Sequence, residues 1–287
     1  MAEPSLMSGQ GCIAASAEAL LADGAFGLLE AGPVHDSAER RALKDVAAAR
    51  GAGLALGAQP LILGGKLDPG SPDPAARDAA LDAALLALEQ ARQVGAGALA
   101  LVSGPEHPGP ERPEALLRTG EWLALVGKAA APLPVHLEVF DFDVDKRRLI
   151  GPTVDAVALA ARIRPAAPNV GLCLDLSHLP LQHEDPSASL RLAKDVLTHV
   201  HVGNCVLKDP AHPRYGDTHP RFGIEGGENG VGELAAFLKI LFEIGYLGGG
   251  IRRDVSFEVK PGPEESVADL VSHSLGVWAE AWSRLQN

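Results

Sequence analysis

Val135-His136-Leu137-Glu138, Gly171-Leu172-Cys173-Leu174-Asp175, His199-Val200-His201-Val202 and Val255-Ser256-Phe257-Glu258 are four short apolar runs, each carrying a metal-binding residue at or beside its end. Glu138, Asp175, His201 and Glu258 are separated by 37, 26 and 57 residues. A strand, a helix and their loops consume about 30 residues, so this spacing predicts successive βα units with one long insertion. In a parallel barrel every such strand points the same way, and the C-terminal ends meet on one face. Two Glu, one Asp and one His converging there make a hard, oxygen-rich site for a divalent metal. A carboxylate ending a buried strand is costly unless it is paired or bound to a cation. One isolated Glu258 could simply pair with Lys260, but four ligand-type residues at four strand ends favour the metal.

The alternation continues outward in both directions. Phe26 to Glu30, Leu54 to Ala58 and Leu99 to Val102 read as strands. Helical patterns follow at Ser37 to Gly51, Asp73 to Gly95 and Pro113 to Ala131, and then near Thr153 to Arg164, Ser187 to Val196 and Val231 to Ile244. Asp73-Pro74 is a strong helix start, with Pro in the first turn. Seven strands are visible, and an eighth is expected around Ser8 to Ala15. Near-continuous apolar strands alternating with helices argue a parallel sheet covered on both faces. The expected fold class is α/β, a single (β/α)8 barrel domain over residues 1–287. An open doubly wound sheet is weakened because no GxGxxG follows the first visible strand.

Composition narrows the function classes. The 287 residues are 46% hydrophobic and only 4% aromatic, so Ala, Leu, Val and Gly carry the packing. A net charge of −12 repels phosphate backbones, and no nucleic-acid partner is expected. Lys146-Arg147-Arg148 reads as an exposed loop. Cys12, Cys173 and Cys205 show no CxxC spacing, which fits a reducing compartment. With no secretory leader in Met1 to Gln10 and no apolar run of membrane-spanning length, a cytoplasmic protein without a membrane partner is expected.

Further polar residues gather around the four strand ends. Asp175-Leu176-Ser177-His178 returns His178 toward the site if a helical turn follows the strand. His199 lies on the same side of its strand as His201; His201 is read as the ligand and His199 as a packed neighbour, with His136 structural and deeper in the barrel. The long irregular segment from Asn204 to Gly230 carries Asp217, His219 and Arg221, and its length marks it as an active-site wall or lid. Asp217 and His219 suit metal or substrate hydroxyls.

These segments resemble the xylose isomerase-like TIM-barrel superfamily, the sugar isomerases and epimerases whose fold is shared with endonuclease IV, best from about Leu54 to Pro261. The resemblance implies that Glu138, Asp175, His201 and Glu258 hold the metal, with Mn2+ first and Mg2+, Co2+ or Zn2+ as alternatives. It implies that His178 contacts substrate. Gly223 to Gly230 is similar to the family's loop after strand seven, and Ile244-Gly245-Tyr246 leading to Ser256 through Pro261 resembles its last helix and strand. Asn204 stands where ketose epimerases carry a Glu, and Asp217-x-His219 is closer to the endonuclease and inosose-dehydratase branches.

The expected activity is a metal-dependent isomerase or epimerase acting on a ketose or keto-sugar through an enediolate. Glu138 and Glu258 exchange the proton, and His178, His219, Arg221 and Lys260 meet substrate. The alternative is a metal-dependent lyase or dehydratase eliminating β to a keto group. An abasic-site endonuclease and a non-catalytic barrel rank below both. The partner is a small sugar, and assembly into homo-oligomers is open.

Overall fold

The protein was analysed as a computed structural model, which describes residues 2–250 and 252–285. In chain order the elements are α1 (Pro4–Ser8), α2 (Ile13–Leu21), β1 (Leu28–Ala31), α3 (Ser37–Arg50), β2 (Gly53–Gly57), α4 (Gln59–Gly64), α5 (Pro74–Val94) and β3 (Leu99–Val102). A single 3-10 turn, Gly109–Glu111, leads into α6 (Arg112–Ala130), β4 (Val135–Glu138), α7 (Thr153–Ile163), β5 (Val170–Asp175), α8 (His178–Leu181) and α9 (Pro186–Ala193). The chain closes with β6 (Leu197–Gly203), α10 (Val231–Glu243), β7 (Ser256–Glu258) and α11 (Val267–Ser283). The strands form one sheet in sequence order from β1 to β7. This is the α/β barrel class expected from the sequence.

Local chemistry explains the helix boundaries. Asp36, Asp73 and Asp185 each accept backbone N–H groups at the starts of α3, α5 and α9, satisfying donors that have no intrahelical partner. Pro74 and Pro186 occupy first-turn positions, where the missing N–H costs nothing. Gly51 and Gly95 end α3 and α5 in the left-handed conformation and return their N–H groups to the last turn.

The chain comprises two compact units. One holds residues 3–138 and 159–171, with β1 through β4 paired in parallel. Every residue of β3 and β4 is buried, the pattern of a sheet covered on both faces. The other unit holds, among the described residues, 2, 139–158, 172–250 and 252–285, with β5, β6 and β7 paired in parallel. Here Asp175 is in register with His201, and Gly203 with Glu258.

The strand expected around Ser8 to Ala15 is absent. That stretch carries the end of α1 and the start of α2, so the described residues contain seven strands. Its apolar residues follow a helical spacing: Ile13, Ala17 and Leu21 are the buried face of α2, four apart on one side of a helix.

Candidate metal centre

Asp175 ends β5, His201 lies near the end of β6 and Glu258 ends β7. Parallel pairing brings the three together: one ligand atom from each lies within 4.8 Å of the others. Asp175 is 1% exposed, and its Oδ1 accepts the backbone N–H of Ser177 at 2.5 Å. That turn leaves Oδ2 buried without a hydrogen-bond partner, 3.9 Å from His201 Nδ1. Glu258 Oε2 lies 2.7 Å from His201 Nδ1, at hydrogen-bonding distance. Two carboxylates and an imidazole thus converge, and the buried Asp175 Oδ2 is left without a hydrogen-bond partner. Such an arrangement is costly unless a cation is shared among them, and this donor set suits a hard divalent ion.

The long segment after β6 builds the adjoining wall. Val206 bridges to both Gly216 and Gly227, and Asn229 N donates to Asn204 Oδ1 at 2.8 Å. Asn229 Nδ2 donates to the carbonyls of Leu176 and Gly203. Asn204, where related epimerases were expected to carry Glu, is a fully buried structural amide whose Nδ2 donates to the Arg221 carbonyl. Of the two roles expected for this segment, the packing supports a wall.

Within it Asp217 and His219 are buried. His219 adopts a left-handed backbone, φ +47°, uncommon for a residue other than Gly. Its carbonyl accepts Lys260 N at 2.7 Å. Asp217 Oδ1 lies 2.7 Å from His219 Nε2 and 3.2 Å from His178 Nε2, and these three residues form a second group within 4.8 Å. His219 Nε2 is 3.7 Å from Glu258 Oε1, so this group adjoins the first. His178 begins α8, as the spacing from Asp175 predicts; its Nδ1 faces the Val139 carbonyl at 3.1 Å and its ring packs on Phe140.

Electrostatics separate these acids. Burial pushes Asp175 up to about 6, with the nearby His178 opposing that rise and the Glu258 charge adding to it. Burial also opposes ionisation of Glu258, but His219 and His201 outweigh it and hold the carboxyl below its usual range. Asp217 is likewise held well below the carboxylate range by His219 and His178, against its burial. Burial disfavours a charged His219, yet the facing Asp217 and Glu258 carboxylates raise its ring to about 9.

Other sequence expectations fall in different places. Glu138 ends β4, 1% exposed, and its Oε2 accepts Gln59 Nε2 at 2.7 Å. This orienting hydrogen bond spans 79 residues and has no local sequence signal. His199 packs edge-on to His201 and faces Ser256 Oγ at 3.2 Å, as a packed neighbour should. His136 is buried within β4. Arg221 pairs with Glu265 at 3.1 Å, in an open surface depression with Asp269 and His273, outside the two histidine clusters. Lys260 sits two residues beyond Glu258 with an exposed side chain. Lys146 departs from the exposed-loop reading: it is half-buried, and its ammonium lies 3.3 Å from Asp217 Oδ2. Cys205 is buried, which raises its thiol and argues against a nucleophile. Among the described residues no helix is long and apolar enough to cross a membrane.

Solved structures of similar fold span almost the whole chain. D-psicose 3-epimerase from Clostridium cellulolyticum H10, crystallised with D-tagatose, aligns with a TM-score of 0.67 at 20% identity over 98% of this chain and 95% of its own. A D-tagatose 3-epimerase-like protein aligns with a TM-score of 0.72 at 17% identity, covering 92% and 91%. An AP endonuclease, family 2, from Brucella melitensis aligns with a TM-score of 0.65 at 18% identity, covering 93% and 94%. No curated protein matches the chain. The family model for the xylose isomerase-like TIM barrel matches residues 20–270. The chain therefore belongs to the xylose isomerase-like TIM-barrel family.

Proposed function

We propose that the protein is a divalent-metal-dependent isomerase or epimerase acting on a ketose or keto-sugar. One observation carries this reading: Asp175, His201 and Glu258 lie at or near the ends of three consecutive strands with their ligand atoms within 4.8 Å of one another, and the buried Asp175 Oδ2 lacks a hydrogen bond. Glu138 joins them as fourth ligand on the sequence argument. Mn2+ is the first candidate ion, with Mg2+, Co2+ or Zn2+ as alternatives. The ketose 3-epimerases among the structural neighbours support the choice of substrate class. When bound, the ion polarises the substrate carbonyl and hydroxyl and acidifies the C–H between them.

The proton chemistry belongs to the carboxylates. Glu258 is held ionised by its histidine neighbours and so carries no proton of its own at neutral pH. Glu138 has one oxygen fixed by Gln59, which sets its orientation. One carboxylate removes the C–H proton and keeps it, and the other, entering the step protonated, delivers its own proton to the opposite face, giving the epimer; delivery to the neighbouring carbon gives the isomer. His178 and His219 orient substrate hydroxyls, with Lys260 and Arg221 as outer contacts. The substrate is a free sugar or keto-sugar, neither nucleic acid nor lipid, and the working environment is the cytoplasm.

Elimination β to the keto group is a second reading, favoured by the Asp217–His219 pair. A ring held protonated up to about 9 is suited to protonate a departing oxygen. The test is metal analysis of protein purified without chelators, followed by deuterium uptake from heavy water into a panel of ketoses. One divalent ion per chain with uptake beside the carbonyl supports isomerisation, and loss of water or an alcohol supports elimination. No metal, and no metal-dependent rise in melting temperature, overturns both. Two or three zinc ions move the assignment to the hydrolytic branch of the family.

A further inference from the structure

After β4 the chain makes a tight turn organised by a buried carboxylate. Asp141 Oδ1 accepts the N–H groups of Val144 and Asp145 at 3.0 and 2.7 Å, and Oδ2 accepts that of Lys146 at 2.8 Å. Two side chains reach from this turn to a segment about 70 residues further on. Asp145 Oδ2 accepts the N–H of Asp217 at 2.9 Å and lies 2.8 Å from Lys146 Nζ. Lys146 Nζ donates to the Asp217 carbonyl at 2.9 Å and lies 3.3 Å from its Oδ2. Gly216 permits the approach: its φ is +85°, and a Cβ there would stand 2.9 Å from Asp145 Oδ2. On the other flank Arg214 Nη2 donates to the Thr218 carbonyl at 2.9 Å.

This geometry divides the work of the Asp217 carboxylate. Oδ2 faces the Lys146 ammonium, and Oδ1 faces the His178 and His219 rings. We propose that Lys146 is a positioning residue: its ammonium anchors Asp217 and thereby sets the His178 and His219 rings against the Asp175–His201–Glu258 cluster. With two carboxylates and a carbonyl within 3.3 Å, Lys146 is committed internally and is a poor candidate for a substrate phosphate. Its charge is favoured by the same Asp217 and Asp145 carboxylates, against its partial burial.

The structural part of this proposal is independent of catalysis, and only its kinetic arm rests on the proposed activity. Amide hydrogen exchange of the metal-free protein is compared for wild type, Lys146→Met and Lys146→Arg, following peptides that cover residues 215–221. Losing the charged anchor is expected to speed exchange there by about tenfold or more, to leave α5 and α6 unchanged, and to be partly reversed in Lys146→Arg. On any ketose that exchanges, Lys146→Met is expected to lower kcat/KM by about tenfold, with Lys146→Arg intermediate. Unchanged exchange at 215–221, or an acceleration spread evenly over the chain, overturns the proposal. Local acceleration without turnover of any ketose keeps the anchor and rejects the activity instead. If Lys146→Met does not fold, Lys146→Gln is measured against the same criteria.

Discussion

Metal uptake is expected to be acid-sensitive with a knee near pH 6, set by Asp175. In the metal-free protein this carboxyl is raised from 3.8 to about 6, chiefly by burial, with the Glu258 charge adding to the effect and His178 opposing it. At about 1.4 kcal/mol per pH unit, the folded protein holds that proton more tightly than an unfolded chain by about 3 kcal/mol. A metal must displace it. Asp175 is mostly ionised at pH 7, so uptake there is nearly free of this cost. Below pH 6 affinity should fall about tenfold per pH unit from Asp175 alone. The stability sign is opposite: this group's contribution is full below 3.8 and is lost as pH rises through about 6. Acid thus strengthens the metal-free fold at this position while weakening the metal complex. The assay is competition with a chromophoric chelator for Mn2+ or Zn2+ between pH 5 and 7.5, with circular dichroism confirming the fold. Calorimetry in two buffers of different ionisation enthalpy counts the protons released. Affinity that stays flat from pH 7 to 5 in folded protein refutes the reasoning, because an ordinary Asp would not respond until near pH 4.

Three further outcomes test neighbouring parts of the site. Glu258→Gln is expected to weaken metal binding by about 3 kcal/mol or more, about a hundredfold, because it leaves Asp175 and His201 without their charged partner; elemental analysis showing full wild-type metal content would contradict the ligand assignment. In the metal-free protein His219 is raised from 6.5 to about 9, so its contribution is full below 6.5 and is lost as pH rises through 9. Melting temperature should therefore fall between pH 7 and 9.5, by up to about 3 kcal/mol of stability, and the slope should flatten in Asp217→Asn. Asn229→Ala removes the amide bonded to the Leu176 and Gly203 carbonyls and is expected to cost about 2 to 4 kcal/mol in chemical denaturation; a loss under 0.5 kcal/mol would show that water replaces the amide.

What could be read from the chain depended on whether its signal was local. Strand ends at Glu138, Asp175 and Glu258 are marked by apolar runs that stop at an acid, and the structure ends its strands at those residues. Caps at Asp36, Asp73 and Asp185 mark helix starts within two or three residues of themselves. At the N-terminus local reading failed because the stretch read was too short: Ile13, Ala17 and Leu21, four apart, are the buried face of a helix, and two of the three lie beyond Ser8 to Ala15. The polar wall posed a different problem. Asp217 and His219 could be picked out by type, but the cation beside them is Lys146, 71 residues earlier in a run that reads as a surface loop. Its anchoring role follows from Asp141 folding the turn and from Gly216 admitting Asp145, two facts separated along the chain and joined only in space. Charge state is non-local for the same reason. Asp175 and Asp217 are both buried acids with histidines nearby, yet burial prevails at one while the facing rings prevail at the other. Residue type can nominate a ligand; whether it meets the metal as an ionised donor or must first surrender a proton is decided by neighbours the sequence does not place.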